Sequence, residues 1–96
     1  MTPPAVFRLR LYIAGSAPFS LKAVANLGAL CRSHLPGRHH IEVIDVLQEP
    51  ERALSDGVYM TPMLVKLGAD PACRIVGTLS DSAVVLDALG VGQLPT

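Results

Sequence analysis

The first forty residues contain the feature that most constrains the fold, a strand pattern that passes through one short loop into a helix pattern. Residues 7–13, FRLRLYI, alternate between apolar and mostly charged side chains, which predicts a β-strand with one face in a core. The loop that follows contains Gly15 and Ser16, and Ser16 is expected to cap the next helix. Pro18 fits a first helical turn, and apolar residues then recur at helical spacing as far as Leu35. The chain therefore begins with a strand followed directly by a helix.

The middle of the chain adds three strand patterns and one helix pattern. Residues 41–47, IEVIDVL, are nearly all apolar, which predicts a central strand of a sheet covered on both faces. Pro50 near a first helical position and Gly57 at a C-terminal cap predict a short helix between them. Residues 63–67 and 73–79, MLVKL and CRIVGTL, are joined by the turn-rich connection GADPA and predict an antiparallel hairpin.

The last pattern, SDSAVVLDALG at residues 80–90, predicts a helix with a serine cap and an end at Gly90, although its valine-rich middle leaves a strand open. The order is then β-α-β-α-β-β-α, which is the α/β, thioredoxin-like arrangement of a mixed sheet with helices on both faces. A chain of 96 residues buries one core, so residues 1–96 are expected to form a single domain. Its ends, at 1–6 and 91–96, are expected to be flexible.

The loop between the first strand and the first helix contains no cysteine, although a redox enzyme of this fold holds its attacking thiol there. A serine hydroxyl without a nearby base does not replace that thiolate, so an enzyme is not expected. Cys31 and Cys73 are interpreted as free thiols that form no disulfide. A divergent redox or glutathione-handling protein that uses Cys31 or Cys73 stays open as an alternative. In the segment MTPML, Thr61 and Pro62 stand directly before a strand, where this fold commonly has a cis peptide, and the same proline also serves as a turn that starts the strand.

At this point the residues resemble a known family. The segments LRLYIAGSAPFSLKAV, EVIDVLQEP, TPMLVKL and RIVGTLSD are similar, in order and spacing, to the KaiB family of bacterial clock proteins over residues 7–90. The resemblance implies a non-enzymatic protein that binds the hexameric ATPase KaiC and competes with a sensor histidine kinase whose input domain is KaiB-like. It also implies fold switching between the thioredoxin-like form, which binds KaiC, and a rearranged form that is often tetrameric. A homodimer or homotetramer is therefore among the expected partners.

The same resemblance implies partner-binding residues. Lys22, Lys66 and Arg74 match basic positions implicated in KaiC binding, and we expect them to form one exposed basic surface in the partner-binding form. Glu42 and Gly57 stand where clock members of the family have lysine, and Cys73 replaces one of two adjacent arginines. These departures motivate an alternative function, a KaiB paralogue in stress signalling with a different partner.

Two residues of the last helix pattern bear on the choice of fold. Ala88 stands at a family glycine and Gly90 at a family aspartate, as the resemblance implies. Alanine in a helix is more stable than glycine by about 1 kcal/mol, and glycine suits a left-handed cap. Both residues therefore favour the thioredoxin-like form.

Composition and charge exclude other classes of function. The formal net charge is zero, and five of the eight basic residues precede residue 41 while all eight acidic residues follow it. No basic stripe is interleaved with stacking aromatic residues, so no nucleic-acid partner is expected. His34, His39 and His40 are interpreted as solvated loop histidines, and no metal or cofactor is expected. No apolar run is long enough to span a bilayer and no signal peptide is recognised, so the expected location is the cytoplasm and not a membrane.

Overall fold

The elements follow one another in the predicted order β-α-β-α-β-β-α, which confirms the thioredoxin-like α/β fold class. The structure, a computed structural model, describes residues 6–68 and 73–91. Most of the predicted GADPA connection and of the two predicted flexible ends lies outside these residues. The elements are β1 (Phe7–Ile13), α1 (Pro18–His34), β2 (His39–Asp45), α2 (Pro50–Ser55), β3 (Met63–Lys66), β4 (Cys73–Val76) and α3 (Ser82–Leu89).

The four strands form one mixed sheet in the order β2-β1-β3-β4. β1 pairs in parallel with β2 and antiparallel with β3, and β3 and β4 form the predicted antiparallel hairpin. The prediction that residues 41–47 form a central strand is wrong, because β3 occupies the other side of β1 and leaves β2 at an edge. Within β2, Ile44 is fully buried but Val43 is 45% exposed, so the apolar run of this strand is only partly covered.

The larger part of the core lies between the sheet and the helices α1 and α3. Leu9 and Leu11 of β1 and Leu64 of β3 contact the buried face of α1, which includes Leu27 and Cys31. The alternation seen in the β1 sequence is therefore the alternation of its two faces. Leu21 and Val24, which belong to the apolar periodicity of α1, are 55% and 37% exposed and lie outside this core.

The smaller part of the core lies on the opposite face, which is covered by α2. It consists of six buried side chains, of which Tyr12 is fully buried and Ala53 is the only contribution from α2 itself. Pro50 begins α2 as predicted, and Gly57, with a φ of 69°, follows its C-cap residue Asp56. β1 is thus covered on both faces, which is the environment expected of a central strand.

The start of α1 is held by contacts that differ from the predicted ones. Ser16 does not cap this helix: Ala17 occupies the N-cap position, where no side chain forms a capping hydrogen bond. Instead, the hydroxyl of Ser20 accepts a hydrogen bond of 3.0 Å from the backbone amide of Ala14. The carboxylate of Asp45 accepts a hydrogen bond from the amide of Gly15, which has a left-handed φ of 55°. The loop is therefore anchored to the end of β2.

Residues 82–89 form a helix and not the alternative strand. Its N-cap is Asp81 and not a serine, and the Asp81 side chain accepts a hydrogen bond from the amide of Val84. Gly90 is the C-cap with a φ of 80°, which confirms the predicted left-handed helix end.

Candidate functional site

A shallow apolar groove lies at the end of the molecule where β1 leads into α1. Its volume is about 240 Å³, and it lies beside the loop where a redox enzyme of this fold holds its thiols. The side chains that line it come from the start of α1 and the segment before β3: Ala17, Pro18, Phe19, Ser20, Thr61 and Pro62. We call it the Phe19 groove. None of its lining residues is a cysteine, so the groove offers no thiol chemistry.

One large apolar side chain that lines this groove is exposed, and two more exposed apolar residues lie close to it in the sequence. Phe19 is 64% exposed and lines it directly, while Tyr59 and Met60, which are 84% and 58% exposed, immediately precede Thr61 in the chain. Single exposed apolar side chains are ordinary, but an exposed aromatic side chain at an apolar concavity is typical of contact surfaces. The groove is therefore suited to bind an apolar side chain of another molecule.

Lys22 lies one helical turn after Phe19. Its Nζ is 6.0 Å from the centroid of the Phe19 ring, which allows a cation–π contact. No acidic residue is present in the first turn of α1. The amide end of this helix has the positive partial charge of the helix dipole, which adds to the charge of Lys22 on this side of the groove.

Lys66 and Arg74, the other two predicted interface residues, lie on opposite faces of the sheet. In the pairing of β3 with β4, Lys66 is opposite Cys73 and Arg74 is opposite Val65, so the two side chains point in opposite directions. The prediction of one basic surface formed by Lys22, Lys66 and Arg74 is therefore wrong in this fold. Strand alternation alone is the physical reason.

The surroundings of these two residues also differ. The Nζ of Lys66 donates a hydrogen bond of 2.8 Å to the carbonyl oxygen of Leu89 and lies 4.9 Å from the centroid of the Phe7 ring. Its cation thus stabilises the C-terminal end of α3. Arg74 is exposed and makes longer contacts, 3.5 Å to the carbonyl oxygen of Gly57 and 3.7 Å to the sulfur of Met63. Arg74 is therefore the more available of the two for a partner.

The predicted cis-peptide pair and the two residues predicted to bias the last helix have defined places. The peptide bond between Thr61 and Pro62 is cis, as expected for this fold, and Pro62 is buried directly before β3. Ala88 lies on the exposed side of α3, and Gly90 ends that helix.

The two cysteines lie far from any reactive arrangement. Cys31 is buried in the larger core, and burial raises the pKa of its thiol. Cys73 lies on β4, where its sulfur is 3.2 Å from the carbonyl oxygen of Ala88. Both are free thiols in this structure. A thiol with a raised pKa is a poor nucleophile, which argues against the redox alternative at Cys31.

A network of charged and polar side chains, which the sequence reasoning did not find, joins β1, β2 and α2. Arg10 donates hydrogen bonds of 3.0 Å to Glu42 and 2.9 Å to Asp56, while the hydroxyl of Tyr12 donates to the same Asp56 oxygen. Arg52 of α2 pairs with the other oxygen of Glu42 at 3.0 Å. We call these five residues the Arg10 network.

The charges of the Arg10 network hold one another in their ionised forms. The hydrogen bonds from Tyr12 and then Arg10 lower the pKa of Asp56, and the hydrogen bonds from Arg10 and Arg52 lower the pKa of Glu42. Burial, followed by the hydrogen bond to Asp56, raises the pKa of Tyr12. Glu42 is thus an internal ion-pair partner, which accounts for an acidic residue at this position.

The described residues contain no group of three His, Cys, Asp or Glu side chains arranged to hold a metal ion. The prediction that His34, His39 and His40 lie in a loop is wrong, because His34 ends α1 and His39 and His40 begin β2. The Nδ1 of His39 is 2.7 Å from the carbonyl oxygen of Leu35. Among the helices that the structure describes, none has the length and apolar character required to cross a membrane.

Phe19 of the groove and the exposed residues Tyr59 and Met60 were also missed by the sequence reasoning, although a signal was present for the last two. Tyr59 and Met60 are large apolar residues in a loop that belongs to no periodic pattern, and such residues are candidates for contact surfaces. Phe19 was not singled out by the sequence reasoning, and its exposure of 64% follows only from the structure.

Comparison with known proteins gives a consistent family assignment. The family model described as the KaiB domain matches residues 10–91. A circadian clock protein KaiB3 of Synechocystis sp. is 39% identical over 87 residues, which cover 91% of this chain and 83% of that protein. A circadian clock oscillator protein KaiB of Prochlorococcus marinus is 38% identical over 89 residues, which cover 93% of this chain and 76% of that protein.

Solved structures support the fold. The N-terminal domain of SasA from Synechococcus elongatus superposes with a TM-score of 0.73 and 20% identity, covering 100% of this chain and 92% of that one. Chloroplastic thioredoxin z also has a TM-score of 0.73 and 20% identity, with coverage of 88% and 76%. Likeness at this identity establishes the thioredoxin-like fold alone.

Proposed function

The chain belongs to the KaiB family, and we propose that it is a non-enzymatic regulatory protein that binds a KaiC-type ATPase and modulates circadian or related timing and signalling. One observation carries this proposal: at the loop where thioredoxin-fold enzymes hold their thiols, this family member has an exposed apolar groove without a cysteine. Such a site is suited to contact and not to thiol exchange.

The relatives support a role in timing. Those of Synechocystis and Prochlorococcus are named as circadian clock proteins, and each matches more than nine-tenths of this chain. A KaiC-type ATPase requires ATP, so a cytoplasmic location belongs to the same proposal. A sensor histidine kinase with a KaiB-like domain is proposed as a competitor for the ATPase.

Lys22, Lys66 and Arg74 are proposed as partner-binding residues. The assignment of Lys22 is supported by its exposure and by its place beside the Phe19 groove. Arg74 is supported by its exposure on β4. For Lys66 the support is weaker, because its ammonium group is hydrogen-bonded to the end of α3. Because Lys66 and Arg74 lie on opposite faces of the sheet, a partner that contacts both residues has to extend around an edge of the sheet.

The thioredoxin-like form is proposed as the binding form, in exchange with the rearranged form of the family. Ala88 and Gly90 favour the helix α3, and Thr61 and Pro62 are proposed to take part in the rearrangement. We propose that formation of any dimer or tetramer is coupled to the exchange between these two forms.

A binding measurement with purified proteins tests the proposal. The wild-type chain and the KaiC-type ATPase of its own host are mixed with ATP, and the affinity is measured by biolayer interferometry at several salt concentrations. We expect saturable binding that weakens as salt increases, and a variant with Lys22, Lys66 and Arg74 replaced by alanine should bind more weakly with a smaller salt effect. Absence of binding by the folded wild-type chain would falsify the proposal.

One observation favours a second candidate, a KaiB paralogue in stress signalling with a different partner. Glu42, where clock members have lysine, is engaged by Arg10 and Arg52 and presents no cation. The lysine contact that the resemblance implies for clock members is therefore not expected at that position. Failure to bind the host's KaiC-type ATPase, together with binding to another host protein, would favour this candidate. Insulin-reduction or glutathione-transfer activity above background would instead favour the redox alternative.

A further inference from the structure

The helix α3 is short and has little of its surface in the core. Of its eight residues Val85 and Leu89 are buried, whereas Val84 is 59% exposed. A helix of this length is not stable alone, and valine is one of the poorer helix formers. The position of α3 therefore depends on the contacts at its two ends.

The C-terminal end of α3 is fixed by two side chains of the sheet. An α-helix leaves its last four carbonyl oxygens without partners inside the helix. In α3, the backbone amides of the C-cap residue and of the residue after it donate to the first two of these oxygens. The other two belong to Ala88 and Leu89, and they accept hydrogen bonds from the thiol of Cys73 at 3.2 Å and from the Nζ of Lys66 at 2.8 Å. Two of the four carbonyl groups are thus satisfied by side chains from outside the helix.

Lys66 and Cys73 act as a pair. They are directly opposite each other in the register of β3 with β4, so their side chains lie on the same face of the sheet. A hydrogen bond from an ammonium group to a carbonyl oxygen is stronger than one between neutral groups, and the thiol adds a weaker one. We call these two residues the α3 latch. Cys73 stands where the family resemblance implies arginine, so the latch is a feature of this chain.

The turn before α3 favours the opposite result, which is release of the helix. Leu79 has a φ of 61°, a left-handed conformation that a residue with a side chain adopts only at a cost in strain. The side chain of Leu79 is buried, and the Nδ2 of Asn26 in α1 donates a hydrogen bond of 2.8 Å to the carbonyl oxygen of the preceding Thr78. These contacts hold the strained turn closed, and its strain is relieved when the turn opens. Leu79 is therefore the position at which a hinge is expected.

We propose that α3 is a strap that opens about the turn at Leu79 while the sheet and α1 stay folded, and that the α3 latch controls how often it opens. Opening uncovers the part of the larger core that Val85 and Leu89 cover, and it releases the cation of Lys66. A group that binds this cation competes with the carbonyl oxygen of Leu89 and shifts α3 toward the open form. This inference concerns the chain by itself and does not depend on the proposed function.

Native-state hydrogen exchange in low concentrations of urea tests whether the strap opens alone. We expect the amides of α3 to exchange at least about tenfold faster than those of α1, after correction for intrinsic rates, and to depend less on urea. The reason is that opening of α3 exposes less surface than global unfolding does. Equal protection and equal urea dependence in α3 and α1 would overturn the inference.

A substitution on the other face of the sheet sharpens this test. Ile44→Val shortens a fully buried side chain of the smaller core, and the described residues of that core include none from α3. Global unfolding should become easier, so exchange in α1 should accelerate at least about threefold, whereas exchange in α3 should stay within about 1.5-fold of wild type. Equal acceleration in both helices would mean that α3 opens only when the whole chain unfolds, and would overturn the inference.

Removal of the two hydrogen-bond donors tests the latch. Lys66→Met removes the ammonium group and keeps an apolar stem, and Cys73→Ala removes the thiol. Arg8→Met and Val76→Ala are the matched controls, because Arg8 is an exposed cation on β1 and Val76 is 50% exposed on β4. We expect exchange in α3 to accelerate at least about tenfold in Lys66→Met and about threefold in Cys73→Ala, and to stay within about twofold of wild type in both controls.

The outcomes of the latch experiment are distinct. Exchange in α3 that stays near wild type in both latch variants would overturn the inference, and so would equal acceleration in the two controls. Circular dichroism and thermal unfolding establish that each variant is folded before its exchange is measured. No partner takes part in these measurements, so failure of the inference would leave the proposed function intact.

Discussion

The two faces of the sheet are covered in different ways. Between the sheet and α1 with α3 lies a cluster of eleven buried side chains, all of them aliphatic, alanine or cysteine. On the α2 face the cluster has six buried side chains, and one of them, Tyr12, belongs to the Arg10 network. One face is therefore stabilised mainly by burial of apolar surface, and the other by a small core together with directed polar contacts.

The difference follows from the lengths of the helices. α1 has 17 residues and buries five of them, whereas α2 has six residues and buries only Ala53. A helix as short as α2 is not stable alone, and one buried alanine provides little apolar area. The hydrogen bonds that Asp56 accepts from Arg10 and Tyr12, together with the ion pair between Arg52 and Glu42, therefore help to position α2. A short element can be positioned by polar contacts where a long one is positioned by its apolar face.

The largest expected effect comes from breaking the apolar face. Leu27→Ala removes a fully buried side chain of α1 and should lower the free energy of unfolding by about 2–5 kcal/mol, because it leaves a cavity in the core. Leu54→Ala on α2 is the control, since an exposed leucine contributes within about 0.5 kcal/mol. Urea denaturation followed by circular dichroism measures both. Equal losses for the two variants would contradict the comparison of the faces.

The polar face should respond less, and more locally. Asp56→Ala removes the acceptor of hydrogen bonds from Arg10 and Tyr12, which should lower the free energy of unfolding by about 1–3 kcal/mol. Hydrogen exchange at the amides of α2 should accelerate more than exchange in α1, because the lost contacts hold α2. Ser55→Ala, an exposed change in the same helix, should leave both quantities near wild type. Uniform acceleration across α1 and α2 would mean that the network does not position α2 specifically.

The same contrast explains which parts of the fold were predicted correctly. β1 was assigned from its alternation with the bounds that the structure has, and the end of α3 was assigned from Gly90. Both signals are local, since they depend on periodicity or on one residue's backbone freedom. The edge position of β2 depends instead on β3 pairing with β1 more than fifty residues away, which no local pattern encodes.

The candidate site was less accessible from the sequence for the same reason. Arg10 and Asp56 are separated by 46 positions, and Phe19 meets Pro62 only after the sheet has formed. The wrong prediction of one basic surface has a different cause, because it did not require contacts between distant elements. Lys66 lies on β3 and Arg74 on β4, and a hairpin register assigned from the sequence would have placed them on opposite faces.

A smaller effect is expected at the exposed side of α3, the shorter helix of the apolar face. Ala88→Gly should lower the free energy of unfolding by about 1 kcal/mol, because glycine is the poorer helix former. If two folds exchange, the same variant should also populate the rearranged form more than wild type does. Backbone chemical shifts at residues 83–89 measure both effects. Strand-like shifts in the wild-type chain would contradict the bias that we assign to Ala88.

The smallest expected effect is the pH dependence of the polar face. The pKa values of Asp56 and Glu42 are lowered in the folded protein by hydrogen bonds, from Tyr12 and Arg10 and from Arg10 and Arg52 respectively. A lowered carboxyl pKa means that the unfolded chain binds more protons in the acidic range, so stability increases with pH there. This contribution to stability is complete above the carboxyl pKa values of the unfolded chain, about 4, and is lost as pH falls through the lower pKa values of the folded protein.

Amide replacements isolate that contribution, because they keep the shape of the side chain and remove its titration. Asp56→Asn should flatten the fall in the urea midpoint between about pH 5 and pH 2 relative to wild type, and Glu42→Gln should flatten it less, because Glu42 is the more exposed carboxylate. Added salt should reduce the difference at Glu42 more than at Asp56, since solvent screens exposed pairs more strongly. Leu27→Ala should shift the whole curve without changing its slope. An unchanged acid slope in Asp56→Asn would mean that this carboxylate contributes nothing through its charge, and that any acid dependence of the α2 face comes from other groups such as Glu42.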